Sequence, residues 1–231
     1  MIGAGIVLLS VGAADLIRQY LPRRAWPYAF ALGALLVLIG SAGADAAVWT
    51  FVAVGVVALW QLGTPGRRGG RAGLWPVVLV AAACLLSVAL VGTRADQGPL
   101  GQLWPAGSPL GAVSLDLGVL VLGAVVFLTE SGNIVVRAAL RDGALPDDEP
   151  PALKGGRLIG PLERVLVFAL TLTGAFTLLA AVLAAKGIVR FPEISRDTEH
   201  GTRAEYFLIG SLVSWVTALG AAFLVWWGGV S

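Results

Sequence analysis

Long apolar runs alternate along this chain with short joints where arginine, glycine, proline and acidic residues gather. A bilayer core about 30 Å thick needs roughly 20 helical residues at about 1.5 Å each. On that measure the pattern predicts about seven transmembrane helices. The first runs from Ile2 to about Ile17, ending at Arg18 with Pro22-Arg23-Arg24 beyond. Trp26 to Gly43 and Asp45 to Leu62 form a tight pair, with glycine allowing the reversal and Asp45 placed to cap the next helix. Arg67, Arg68 and Arg71 precede Ala72 to Gly92, and a Gly- and Pro-rich loop, Thr93 to Pro109, leads to Ala112 to about Thr129. Leu162 to Ala185 and Tyr206 to Trp227 complete the set. Continuous exposure to lipid requires helices, because their backbone groups are satisfied internally. The expected fold is therefore an all-α, polytopic membrane bundle. Its parts are a hydrophobic four-helix scaffold (1–92), a loop (93–111) and a three-helix module (112–231).

Composition explains why the solvent must be lipid. Of 231 residues 57% are hydrophobic and only 13% charged, against about 25% charged in soluble domains. The mean hydropathy is +0.85. Net charge is +2 and no basic stretch interleaves with aromatics, which argues against nucleic acid as a partner. Cys84 is the single cysteine, so no intrachain disulfide framework exists. The start, Met1-Ile2-Gly3-Ala4, has no basic n-region and reads as a retained helix.

Positive charge sets the expected orientation. Ten loop cations (Arg18, Arg23, Arg24, Arg67, Arg68, Arg71, Arg137, Arg141, Lys154, Arg157) fall on one side, and five (Arg94, Lys186, Arg190, Arg196, Arg203) on the other. The positive-inside rule then puts the N-terminus outside and the C-terminus in the cytoplasm of a bacterial inner membrane. The last hairpin runs against the rule, since four of those cations would sit outside beside Glu193, Asp197, Glu199 and Glu205. Residues 142–155, with Pro146-Asp147-Asp148-Glu149-Pro150-Pro151, read as a mobile cytoplasmic linker rather than a metal site.

Ionisable groups inside or beside the apolar runs are the candidate chemistry, because lipid makes them expensive. Asp116, about one turn inside the fifth helix, and Glu130 are proton-coupling candidates; a structurally paired aspartate is the alternative for Asp116. Thr129, Asn133 and Arg137 recur every four residues and share a face if that helix continues. Arg137 with Arg157, Glu163 and Arg164 forms a cluster suited to bidentate phosphate binding, or to ionic locking between helices. Lys186, Arg190, Glu193 and Glu205 form a second cluster, expected at the opposite face. There the i,i+4 like charges of Lys186 and Arg190 ask for an anion or nearby acids. Thr173, Thr177, Ser211, Ser214 and Thr217 supply small faces for helix contact.

Catalytic motifs are missing. His200 is the only histidine, and no phosphate loop, nucleotide fingerprint, paired-cysteine zinc motif or HExxH is present. No cofactor or metal is expected.

The motifs Gly156-Arg157-x-Ile159-Gly160-x-x-Glu163-Arg164, Ala184-Ala185-Lys186-x-x-x-Arg190-Phe191 and Glu205-Tyr206-x-Leu208-Ile209-Gly210-x-x-x-Ser214 stand in that order. The stretch from Gly156 to Leu219 thereby resembles the C-terminal module of an uncharacterised bacterial membrane family, also met in phage-associated genes. The resemblance implies a membrane module and draws interest to these positions; it implies no particular activity.

The leading expectation is an integral membrane protein that binds or transports an anionic, lipid-linked substrate through the last three helices. Membrane lipids are its expected partners, with a second membrane protein or another copy as further candidates. A non-catalytic assembly subunit is the alternative, and a lipid-modifying enzyme using Glu130 or Glu163 as base is the third reading.

Overall fold

The computed structural model describes residues 1–64, 73–91, 94, 97–104, 113–140, 156–195 and 202–230. The expected linker at 142–155 lies outside them. Among the described residues the fold is all-helical. Its elements are α1 (Ile2–Tyr20), α2 (Trp26–Gly43, preceded by a 3₁₀ turn at Arg23–Ala25), α3 (Val48–Gly63), α4 (Trp75–Val91) and the short α5 (Gly98–Leu103). There follow α6 (Leu115–Leu140), α7 (Gly156–Leu172), α8 (Phe176–Ser195) and α9 (Thr202–Val230). Among the described residues four helical stretches are long and apolar enough to cross a membrane: Ile2–Tyr20, Arg23–Gly43, Leu115–Leu140 and Phe207–Val230. Large apolar side chains such as Leu36, Ile39, Phe51, Leu90 and Val216 point outward. This surface is compatible with a membrane protein, where lipid rather than water meets it.

The chain divides into two compact units. One comprises Met1–Ser131 with Phe223–Ser231, the other Gly132–Ala222.

In the first unit α1 is the buried centre, packed by α2, α3 and α4. Glycine lets the first part of α6 approach it closely. A Cβ on Gly5 would stand 2.7 Å from the Leu120 nitrogen, and one on Gly12 would stand 2.9 Å from the Phe127 nitrogen. Small residues that admit a neighbouring backbone are a common membrane-helix contact. α2 buries only Ser41, whose hydroxyl meets Thr50 of α3 at 2.5 Å. The start of α1 and the end of α9 are together: a Cβ on Gly228 would lie 3.1 Å from Met1 Cγ.

The α2–α3 joint differs from expectation. Asp45 does not cap α3, which starts at Val48 after Ala47 with no side-chain cap. It ends α2 instead, with φ 52, while Asp45 N donates to Ala42 O and Ala46 N to Ser41 O. This is a Schellman cap, with Asp45 in the left-handed position that glycine usually fills. The expected loop from Thr93 holds α5, and the fifth predicted helix runs on well past Thr129, to Leu140.

The larger difference lies in the second unit. The run from Leu162 to Ala185, expected as one helix, is two. α7 stops at Leu172, and Gly174 takes φ +70. Gly174 N then donates to Thr171 O and Ala175 N to Leu170 O, a second Schellman cap. α8 starts immediately at Phe176 and packs back against α7.

Candidate functional site

Reversal at Gly174 decides which charges meet. A straight helix would hold residues 163 and 186 about 35 Å apart. In the hairpin, Lys186 Nζ donates to Glu163 Oε1 and Oε2, each at 2.7 Å. Trp215 of α9 donates its Nε1 to the same Glu163 Oε1 at 2.7 Å. The ammonium also lies 5.4 Å from the Trp215 ring centroid and 5.6 Å from that of Phe207. Lys186 is thus held by a carboxylate and two aromatic faces, an arrangement that suits a cation withdrawn from water. The side chains are only 24% and 12% exposed, Lys186 and Glu163 respectively, so solvent screens the pair weakly.

One residue further on, Arg164 is buried at 2% exposure. Its Nη2 donates to Asn133 Oδ1 at 2.6 Å, and its Nη1 to Ser214 Oγ at 3.4 Å. Gly132 makes the room: a Cβ there would meet Arg164 Nε at 2.5 Å. Glu163 and Arg164 point to different neighbours, joining α7 to α8 and α9 on one side and to α6 and α9 on the other.

The remaining expected site residues fall as follows. Arg137 is exposed on the last turn of α6, and Glu205 is exposed on the first turn of α9. Positions 157 and 190 belong to α7 and α8, beyond the clasp at the open end of the hairpin. The side chains of Arg157, Arg190 and Glu193 lie outside the described positions. The two clusters expected at opposite faces are therefore joined through Glu163 and Lys186.

In the first unit Asp116 is paired. Arg94 donates Nη2 to Asp116 Oδ1 at 2.8 Å and Nε to Oδ2 at 3.0 Å, and its Nη1 reaches Ala44 O at 2.9 Å and Asp45 O at 3.0 Å. One guanidinium thus fastens α6 to the carbonyl end of α2, where a cation is favoured. Glu130 is buried on α6, beside Ser131.

A further polar centre went unread in the sequence. Asp15, 2% exposed on α1, accepts from Trp60 Nε1 at 2.9 Å, Ser131 Oγ at 2.5 Å and Gln61 Nε2 at 3.3 Å. Gln61 Oε1 in turn accepts from Arg18 Nη1. Trp60 stacks obliquely on Phe127, 6.0 Å between centroids. The sequence signal was Asp15 itself, the lone ionisable side chain between Met1 and Ile17. Its partners come from positions 60, 61 and 131, which no local spacing links to it. Among the described residues no group of three or more His, Cys, Asp or Glu could hold a metal.

Comparison with known protein families, with curated proteins and with solved structures finds no match.

Proposed function

We infer that the chain is a multi-pass protein of the bacterial cytoplasmic membrane that binds an anionic, lipid-linked headgroup at one membrane face. The observation that carries this reading is the Glu163–Lys186 clasp across the Gly174 turn. A hairpin that enters and leaves by the same face moves Lys186, Arg190, Arg196 and Arg203 to the side of the other ten loop cations, leaving Arg94 alone opposite. That removes the conflict with the positive-inside rule. It also puts the C-terminus on the outer side with the N-terminus, in keeping with the packing of Met1 against Gly228.

With both clusters at the cytoplasmic face, the two-gate arrangement that passage across the membrane would use has no second gate. Binding is the simpler reading. Glu163 neutralises Lys186, and the guanidinium-bearing positions at the open end of the hairpin are 157 and 190. Spaced guanidinium groups suit a phosphate.

Native mass spectrometry of the protein extracted from its own membranes tests this. A retained phospholipid, depleted in the double variant Arg157→Ala/Arg190→Ala at unchanged thermal stability, is the expected result. Retention unaffected by the double variant sinks the reading. An assembly subunit is the second reading. It draws on the engagement of Glu163, Arg164 and Lys186 by other side chains of this chain, which is how an ionic lock behaves. A second polypeptide retained at fixed stoichiometry, with no lipid, would favour it.

A further inference from the structure

Away from the hairpin, the first unit contains an apolar cavity of about 320 Å³ between α1, α2 and α3. Its walls include Ile17, Gly33, Val37, Thr50, Val57 and Gln61. That volume lies at the lower end of the roughly 300–1,000 Å³ typical of small-molecule sites. Along α3 the lining extends from Thr50 to Gln61, about 17 Å of helix. A slot of this length and polarity accepts one hydrocarbon chain. Left empty, its walls would forfeit their dispersion contacts.

One end of the slot is charged. Ile17 and Gln61 mark that end, and Arg18 follows Ile17 and donates to Gln61. The Arg18 guanidinium carbon lies 5.7 Å from the centroid of the Trp26 ring, and that of Arg23 lies 5.8 Å from it. Two like charges gathered on one indole repel each other unless an anion joins them. Among the described residues neither Arg23 nor Arg24 has an acidic partner, and both are exposed. Tyr20 and Tyr28 are exposed beside them, as aromatic residues are at headgroup depth.

We propose that this cavity and its basic rim bind an anionic phospholipid of the surrounding bilayer. One acyl chain lies between α1, α2 and α3, and the phosphate is held by Arg18 and Arg23 beside Trp26. The residues differ from those of the α7–α8 hairpin, so the two readings stand or fall separately. Occupancy also bears on Asp15, because Gln61 lines the slot and donates to that carboxylate.

The test uses the full-length protein in micelles, with phosphatidylglycerol and phosphatidylcholine offered in competition and bound lipid counted by native mass spectrometry. Phosphatidylglycerol should be retained about tenfold or more over phosphatidylcholine, given two arginines at the headgroup. Gly33→Leu fills the slot: a Cβ there has only Ile17 Cδ1 nearby, at 3.9 Å, so the larger side chain grows into the cavity. It should abolish that retention, and Arg18→Ala should erase the preference between the two lipids. All of these comparisons are made in the Arg157→Ala/Arg190→Ala background, so that lipid held at the hairpin does not enter the count. Ala34→Leu, also on the cavity wall, serves if Gly33→Leu does not fold. Equal retention of the two lipids with the slot and its rim unaltered overturns the proposal, as does a preference that survives filling the slot. Displacement of phosphatidylglycerol by equimolar oleate also overturns it, because the ligand would then be a free fatty acid.

Discussion

Buried charge in this protein is fixed by a few named side chains, and each makes a distinct demand. Asp15 accepts three hydrogen bonds, from Trp60, Gln61 and Ser131, inside the α1–α3–α6 packing. Asp15→Ala would leave those donors without an acceptor, each costing about 1–3 kcal/mol. Asp15→Asn keeps an acceptor oxygen and should be the milder change, by unfolding in detergent followed through tryptophan fluorescence. The Glu163–Lys186 clasp calls for a different experiment. Either Glu163→Gln or Lys186→Met should destabilise by about 1.5–3 kcal/mol, the range for hydrogen bonds to charged groups. Because each single change strands the other charge, the double variant should lose less than the sum. Strict additivity would show that the two side chains do not interact in the membrane.

At the scale of elements, two left-handed residues set the topology. Gly174 ends α7 with φ +70, and a Cβ there would have no atom within 4 Å. Gly174→Ala therefore costs backbone strain without any clash, about 1–2 kcal/mol. Gly174→Asn should cost less, since asparagine visits that conformation more readily. Thermal unfolding of the two variants ranks them; equal stability of Gly174→Ala and the parent would mean the turn is absent. Asp45 meets the same demand at φ 52, so Asp45→Gly is expected to stabilise the α2–α3 joint slightly. The glycines of α1 work otherwise, since Gly5 and Gly12 are needed for the space they leave against α6.

The topology proposed from the hairpin makes a prediction for the whole molecule. Cys84 is buried and is the single cysteine, so a Cys84→Ser background reports cleanly on new thiols. In that background Arg68→Cys and His200→Cys should be labelled from the same side of the membrane, and Ser231→Cys from the other. Labelling of positions 68 and 200 from opposite sides would restore a single crossing between residues 162 and 185, and with it a charge cluster on each face.

Much of this architecture was legible in the chain. Membrane helices follow from apolar runs of bilayer length, because lipid offers no other partner for backbone hydrogen bonds. The charged positions around Glu163 and Lys186 stood out because charge beside an apolar run is expensive in lipid. Hydropathy, however, sums over a window and is blind to one residue's φ. The run from Leu162 to Ala185 stays apolar through Thr173-Gly174-Ala175, so its reversal left no mark in that sum. Gly174, flanked by threonine and alanine, was the only sign, and many membrane helices pass through glycine without turning. Sequence alone determined the helical class, the apolar runs of bilayer length and the inventory of charges. Only the tertiary structure decided which charges meet. Contacts between positions 15 and 131, 94 and 116, or 163 and 186 depend on how helices reverse and pack, and no local spacing encodes that.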